Sequence, residues 1–512
     1  MRKWSPLIAV CLGTFMLLVD VTIVTVALPD MAVDLSTSFS ALQWVLDIYT
    51  LILAALLLGM GAVADLRGRR RLYIGGLAVF AVASLASGLA HNAAMLIAAR
   101  GVQGVGGAAM YATTVALLSS SYQGRDRGIA FGVWGAVSGA AAAAGPILGG
   151  VLTQSLSWRW IFFVNLPVSV VAIVMARRAL AADRPATGHR LDLPGLVTFT
   201  IAAAAVTYGL IRAAADGWTN GLTIGLLAIG LAAFAVFAVV ESRSSGPLLD
   251  LSLLRRPAFA GVLTAALLLN AAAFAYLPYT SLWLQTVLRL SPIRAGLVGS
   301  APMSVAAFVV SALIGRFLHA TNARWIIAGG MALVGAGALA QATLSGQSGQ
   351  LALLPGLIVA GVGVGLATPT MVSSAMGAVP QRSAGMAAGA VNTARQLGFT
   401  FGVAVLGSAF AARVAHLLAA RGGPAAARAI SGGQAQAVLG RVPAPQRDQF
   451  DQLIHAASAG GLNAALLIAG GLGLAGAVIA ILTMRRPAAA GDQDAAGSRS
   501  SAVSPGDSVP AG

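Results

Sequence analysis

The 512 residues are 58% hydrophobic and only 9% charged, with a mean hydropathy of +0.84. Soluble domains carry about 25% charged residues, and no polar stretch here is long enough to fold as one, so the composition excludes a soluble enzyme and reads as a polytopic membrane protein. The formal net charge of +16 does not point to nucleic acid, because the arginines sit in short loops between apolar runs.

Apolar segments fall near 7–28, 41–63, 72–91, 94–119, 127–153, 160–179, 193–213, 222–240, 257–288, 293–315, 323–344, 350–377, 384–415 and 461–483. They predict about fourteen spanning helices, since only helices satisfy the backbone of such segments in lipid. The first is followed by Pro29-Asp30 rather than a small-residue cleavage site, so it reads as a retained helix. It holds the single cysteine, Cys11, which leaves no partner for a disulfide within the chain. Within Leu17–Pro29, LLVDVTIVTVALP, stands Asp20. An acid at that depth costs roughly 2.5–3.5 kcal/mol on insertion scales and marks a proton relay or a ligand site. The plainer alternative is an acid that only pairs with a neighbouring helix.

The second segment carries Gln43-Trp44-Val-Leu-Asp47-Ile-Tyr49 and ends in Gly61-Ala-Val-Ala-Asp65-Leu-Arg67-Gly68-Arg69-Arg70-Arg71. Gly68 suits a tight turn. Asp65 faces Arg69 and Arg70 across it, a charge pair fit to latch one helix end to the next; an ordinary basic loop with an incidental acid is the alternative. The fourth segment contains Arg100-Gly-Val-Gln103-Gly104-Val-Gly106-Gly107. A buried arginine wants an acid or a carbonyl, unless it snorkels to the surface. At 1.5 Å per residue, Asp20 lies about 13 Å, and Asp47 and Arg100 about 9 Å, from the outer ends of their helices. The three charges therefore share a depth; contact between Asp20 and Arg100 is a hypothesis that this depth permits, while rotation about each helix is not given by the spacing. The fifth segment holds Gly132 and Gly145-Pro146-Ile-Leu-Gly149-Gly150, where glycines let backbones touch and proline bends the helix. Trp158-Arg159-Trp160-Ile-Phe-Phe-Val-Asn165-Leu-Pro167 opens the sixth.

Loops 180–192 and 241–256 bracket a pair of segments. In the second half, Asn392-Thr-Ala-Arg395-Gln396-Leu-Gly398 places a second costly charge near mid-membrane. Gly315-Arg316-Phe-Leu-His319 is a degenerate echo of the Gly61–Arg71 loop, as two related halves would show. Trp44, Tyr49, Phe274, Tyr276, Tyr279 and Trp283 either line a ligand cavity or belong to the aromatic belt at the lipid interface. Residues 416–460 form an external loop whose Ala-rich stretches around Pro424–Leu439 and Gln446–Ala457 suggest a short helical pair, and the tail after Pro487 has little to bury. Arginines at 2, 67–71, 125–127, 177–190, 243–256 and 485–486, against none at 29–40 and 91–94, put both termini in the cytoplasm.

The Gly61–Arg71 loop resembles the signature loop of the major facilitator superfamily, and Arg100–Gly107 is similar to its second motif, tied to proton transfer. The run from Gly145 to Gly150 resembles the motif of its exporters, with Ala141 where those carry glycine. Leu17–Pro29 with Trp158–Pro167 is similar to the fourteen-helix drug:proton antiporter family, and Gln43–Tyr49 to its organic-cation exporters. The resemblance spans about residues 5–484. It implies an all-α membrane protein of the major facilitator fold: two six-helix bundles plus two inserted helices. Residues 1–180 are then the first bundle, 190–241 the inserted pair, 255–484 the second bundle with loop 416–460, and 487–512 a disordered tail.

It further implies a proton-coupled exporter of drugs or toxic amphiphilic or cationic compounds in the cell membrane. Asp20 and Arg100 would couple protons. Asp47, Trp44, Tyr49, Asn392 and Arg395 would bind substrate. Gly61, Asp65, Gly68, Arg69, Arg70, Gly145, Pro146, Gly149 and Gly150 would serve gating. The partners are a small molecule, protons and the bilayer, with no cofactor, no metal and no nucleic acid, and the protein is expected to be a monomer. Import of a metabolite on the same fold, or export of a single antibiotic for self-protection, are the alternatives. An enzyme is not expected, because no phosphate loop, metal cluster or nucleophile–base pair falls in the loops.

Overall fold

The computed structural model describes residues 2–37, 39–181, 192–244, 247, 249–314, 322–379, 384–419 and 423–484. The tail from residue 485, the echo motif at 315–319 and most of loop 180–192 lie outside them. Among the described residues there are helices and no strands.

The first half comprises α1 (Ser5–Asp34), α2 (Phe39–Arg67), α3 (Arg69–Gly88), α4 (Ala93–Ser121), α5 (Gly124–Ser155), the short α6 (Trp160–Phe163) and α7 (Asn165–Ala179). Then come α8 (Leu193–Asp216) and α9 (Gly221–Arg243). The second half opens with α10 (Leu251–Leu254), α11 (Pro257–Ala273) and α12 (Leu277–Leu282), the last running into a π-turn at Trp283–Val287. It continues through α13 (Pro292–Gly299), α14 (Ala301–Ile314), α15 (Ala323–Gln341) and α16 (Leu354–Gly377). It closes with α17 (Ala384–Leu418), α18 (Gly423–Ser431), α19 (Ala435–Gly440) and α20 (Ala444–Thr483).

Twelve helices or helix runs among the described residues are long and apolar enough to cross a membrane, and the bent pair α13–α14 makes a thirteenth. With α5, 32 residues long, the architecture agrees with the fourteen expected. Several spans start where a polar side chain caps the first turn. Asn92 Oδ1 accepts from Met95 N at 2.8 Å, Asp192 Oδ1 from Gly195 N at 2.8 Å, and Asn322 Oδ1 from Arg324 N at 3.1 Å.

Two ends differ from the sequence reading. Helix α1 does not stop near Pro29 but continues to Asp34. Most of the described residues in 416–460, expected as an external loop, are helical: α17 reaches Leu418, α18 and α19 both fall in the first Ala-rich stretch, and the second, 446–457, is no separate short helix but part of α20. Both extensions cover residues outside the apolar windows that still favour helix, Ala above all.

In the first bundle α4 packs on α2 and α3, and α1 on α5 and α7; in the second α15 packs on α16 and α20, and α11 on α17 and α20. The bundles meet along two seams, α5 against α13 and α14, and α2 against α17. The inserted helices α8 and α9 pack on each other, and α8 also touches α2 and α17. One apolar core runs through both bundles at the face that carries the α2–α3 turn, with Leu58, Tyr73, Phe131, Phe259, Met371 and Val391 among its members. Towards the opposite face it divides. Ile23, Val24 and Phe162 belong to a core of the first bundle alone, and Tyr276, Trp283 and Phe410 to one of the second.

Candidate functional site

Asp20 is fully buried in the middle of α1. Its Oδ2 accepts from Arg100 Nη1 of α4. Its Oδ1 accepts from Gln103 Nε2 at 2.9 Å and from Asn165 Nδ2 at 3.2 Å. Arg100, also fully buried, donates through Nε to the Val45 carbonyl at 3.1 Å and through Nη1 to Gln103 Oε1 at 2.7 Å. Ser84 Oγ of α3 accepts from Gln103 Nε2 at 2.8 Å and Asn165 Nδ2 at 3.2 Å. The guanidinium lies 4.3 Å from the ring centroid of Tyr49 and 5.9 Å from that of Phe162, a cation–π arrangement. The contact between Asp20 and Arg100 that their shared depth permits is therefore present, at the centre of a network drawn from α1, α2, α3, α4, α6 and α7. A buried ion pair endures when such bonds satisfy both partners; removing one partner costs about 3–5 kcal/mol.

Local structure explains the assembly. Arg100 and Gln103 are three residues apart and leave α4 on one side. Asn165 begins α7, just after the chain breaks helix at Val164. The outer end of α6 is fixed by Trp158 Nε1 and Arg159 Nη1, which donate to Asp34 Oδ2 at 3.0 and 2.6 Å. These bonds, Arg159's first and Trp158's second, hold the Asp34 carboxyl below the usual carboxylate range.

Helix α5 runs unbroken through Pro146 and packs directly on α1 beside this network. A Cβ on Gly145 would strike the Thr22 side chain, and one on Gly149 would sit 2.8 Å from the Ile23 carbonyl oxygen. At the next residue, a Cβ on Gly150 would come within 3.0 Å of Ile293 in α13. The glycines thus let one helix touch both the Asp20 helix and the second bundle.

The proposed substrate residues separate. Tyr49 is fully buried beneath Arg100, so it belongs with the Asp20 network rather than with a cavity wall. Trp44 packs on Tyr208 of α8, with centroids 5.2 Å apart. Asp47 is half-buried, and no ion pair reaches it among the described residues. It stands eleven residues before Leu58, so the two share one stripe of α2. Leu58 packs against Gly389 of α17 at the other end of that stripe. Asn392 of α17 is fully buried and donates through Nδ2 to the Tyr111 carbonyl of α4 at 3.4 Å. Arg395 follows one turn later, with Nε and Nη1 buried and unpaired among the described residues. Tyr276, Tyr279 and Trp283 pack in the outer core of the second bundle; Tyr279 donates to the Val403 carbonyl at 2.8 Å. A cavity of about 310 Å³ lies between α2 and α8, lined by apolar side chains such as Leu56, Met60, Val63 and Leu196.

At the α2–α3 turn, Gly68 has φ 96°, in the left-handed region glycine favours. Arg70 Nη2 donates to the Arg177 carbonyl at the end of α7, at 2.6 Å. Gly61 is buried within α2, and Arg69 is half-buried. The side chains of Asp65 and Pro146 lie outside the described residues. Gln103, Ser84 and Asn165 are site members that charge-based reading of the sequence does not single out.

Comparison with known proteins agrees with this architecture. The model of the Major Facilitator Superfamily matches residues 10–403. The chain is 36% identical over 407 residues to the multidrug resistance protein Stp of Mycobacterium tuberculosis, covering 79% of this chain and 75% of that protein. It is 33% identical over 505 residues to the tetracenomycin C resistance and export protein of Streptomyces glaucescens, covering 94% and 92%. The crystal structure of the human organic anion transporter MFSD10 (TETRAN) shares the fold, with a TM-score of 0.62 at 15% identity, over 93% of this chain and 99% of that one.

Proposed function

Since the chain belongs to the Major Facilitator Superfamily, we propose that it is a proton-coupled drug exporter in the cell membrane, with both termini cytoplasmic. Relatives named for multidrug resistance and for antibiotic export support the drug-exporter reading. The observation that carries proton coupling is the buried carboxylate of Asp20, held by Arg100, Gln103 and Asn165. A proton on Asp20 removes the charge that Arg100 balances. The guanidinium must then find another acceptor or move, and α1 and α4 shift with it. Gly145 and Gly149 pass that shift to α5, which borders the second bundle. Asp47, half-buried on α2, serves as a second proton site or receives a cationic centre on the substrate. The α2–α3 turn, with Asp65, Gly68, Arg69 and Arg70, gates the arginine-rich face.

Asp20→Asn tests the reading. Dye efflux from energised cells should stop while the protein still inserts in the membrane. Undiminished, uncoupler-sensitive efflux in that variant would remove Asp20 from the mechanism. A narrower reading, export of one antibiotic for self-protection, is favoured by the relative that matches over most of both chains, a resistance and export protein for tetracenomycin C. A susceptibility panel in a pump-deficient host separates broad from narrow export. The protein is proposed to work as a monomer and to need no cofactor beyond the proton gradient.

A further inference from the structure

Arg395 lies on α17 with Nε and Nη1 buried and no hydrogen-bond partner among the described residues. Arg395 as a whole is half-buried, but a guanidinium with two nitrogens out of water and no counter-ion among the described residues still wants a partner. Its own bundle offers few acids: the sequence from Leu251 to Arg447 contains no Asp or Glu, and of Asp448 and Asp451 at the start of α20 the second pairs with Arg289. In the first bundle Asp20 is engaged by Arg100. Asp47 makes no ion pair with Arg395 in the structure, although both groups are described.

Position adds a second argument. Asn392, one turn before Arg395, touches the Tyr111 carbonyl of α4. Residues three apart are neighbours on a helix surface, so Arg395 leaves α17 near the boundary between the two bundles. Asn392 Oδ1 is buried there and also lacks a partner.

We propose that Arg395 is the anchor for an anionic group, a carboxylate or an acidic enol or phenol, on the exported compound. Asn392 Oδ1 accepts from a hydroxyl or N–H beside that group. The planar guanidinium fork matches a carboxylate with two parallel bonds, which a lysine ammonium cannot reproduce. This inference rests on the export reading and names the substrate class within it.

The test uses cells lacking their own pumps and expressing the full chain. Toxic carboxylic acids are paired with their neutral methyl esters, and ethidium is included as a cation. Wild type, Arg395→Gln and Arg395→Lys are compared at matched membrane levels. Wild type should expel the acids. Arg395→Gln should lower acid efflux about tenfold or more, as loss of a charged contact of this kind implies, and lower export of esters and ethidium by a clearly smaller factor. Arg395→Lys, which keeps the charge, should retain part of the acid efflux and covers the case where the glutamine variant fails to insert. Equal loss for acids, esters and ethidium, or unchanged acid efflux, would overturn the anchor. So would a wild type that expels esters and ethidium but no acid. A wild type that expels nothing in the panel sinks the export reading itself, a separate result.

Discussion

Gln103 donates to Asp20 Oδ1 at 2.9 Å while its own carbonyl accepts from Arg100 at 2.7 Å. One neutral side chain thus bonds to both charges of the pair and orients each against the other. Gln103→Leu keeps the volume and removes both bonds. A hydrogen bond to a charged group contributes about 1.5–3 kcal/mol. Proton-driven dye efflux in everted vesicles should therefore fall about tenfold or more, without the complete loss expected of Asp20→Asn. Efflux at wild-type rate would mean that Arg100 alone positions the carboxylate.

Gly149 lies against the backbone of Ile23, three residues from Asp20. A side chain there has to push α5 away from α1. Gly149→Val should destabilise the protein by about 1–3 kcal/mol, the usual range for overpacking, and should slow efflux by more than its effect on folded protein explains. Melting of the detergent-solubilised protein, beside efflux normalised to protein level, separates the two.

Gly68 occupies a backbone conformation that side chains adopt at a penalty. Gly68→Ala should cost about 1 kcal/mol. Arg70→Ala should instead free the turn from the end of α7 by removing the bond to the Arg177 carbonyl. Protease nicking at the α2–α3 turn should rise in both variants, and a turn as resistant as wild type would contradict the latch.

Asp34 provides a dependence on acidity. Its carboxyl is held low by Arg159 and then Trp158, so these contacts favour the folded state above the unfolded carboxylate value near 3.9 and lose effect as pH falls through the folded value. Arg159→Gln should melt below wild type at neutral pH, and the difference should shrink as the buffer is taken below about 4. A gap that stays constant with pH would show that Arg159 acts through packing alone.

The membrane fold was legible because hydrocarbon leaves so few options to long apolar segments, and Asp20 and Arg100 stood out because charge inside such segments is costly. Shared depth also pointed to their contact. Rotation about each helix was not legible. Asp47 and Tyr49 look like one cluster in the sequence, yet residues two apart on a helix point about 200° apart; the structure puts Tyr49 under Arg100, while half-buried Asp47 stays outside that network. Ser84 and Asn165 went unmarked because uncharged polar residues are tolerated in apolar runs and give little signal alone. Helix ends were hidden where Ala-rich sequence continues past the apolar window, as at the start of α20.

The inserted pair has a bearing on traffic from the lipid. Helix α8 stands over the seam where α2 meets α17, touching both, and Trp44 is held against its Tyr208. A compound dissolved in the bilayer that drifts sideways along this flank meets a shutter and reaches only the greasy crevice behind Leu196. The opposite flank, where α5 borders α13 and α14, is instead closed by direct packing of the two bundles, with Gly150 of α5 against Ile293 of α13.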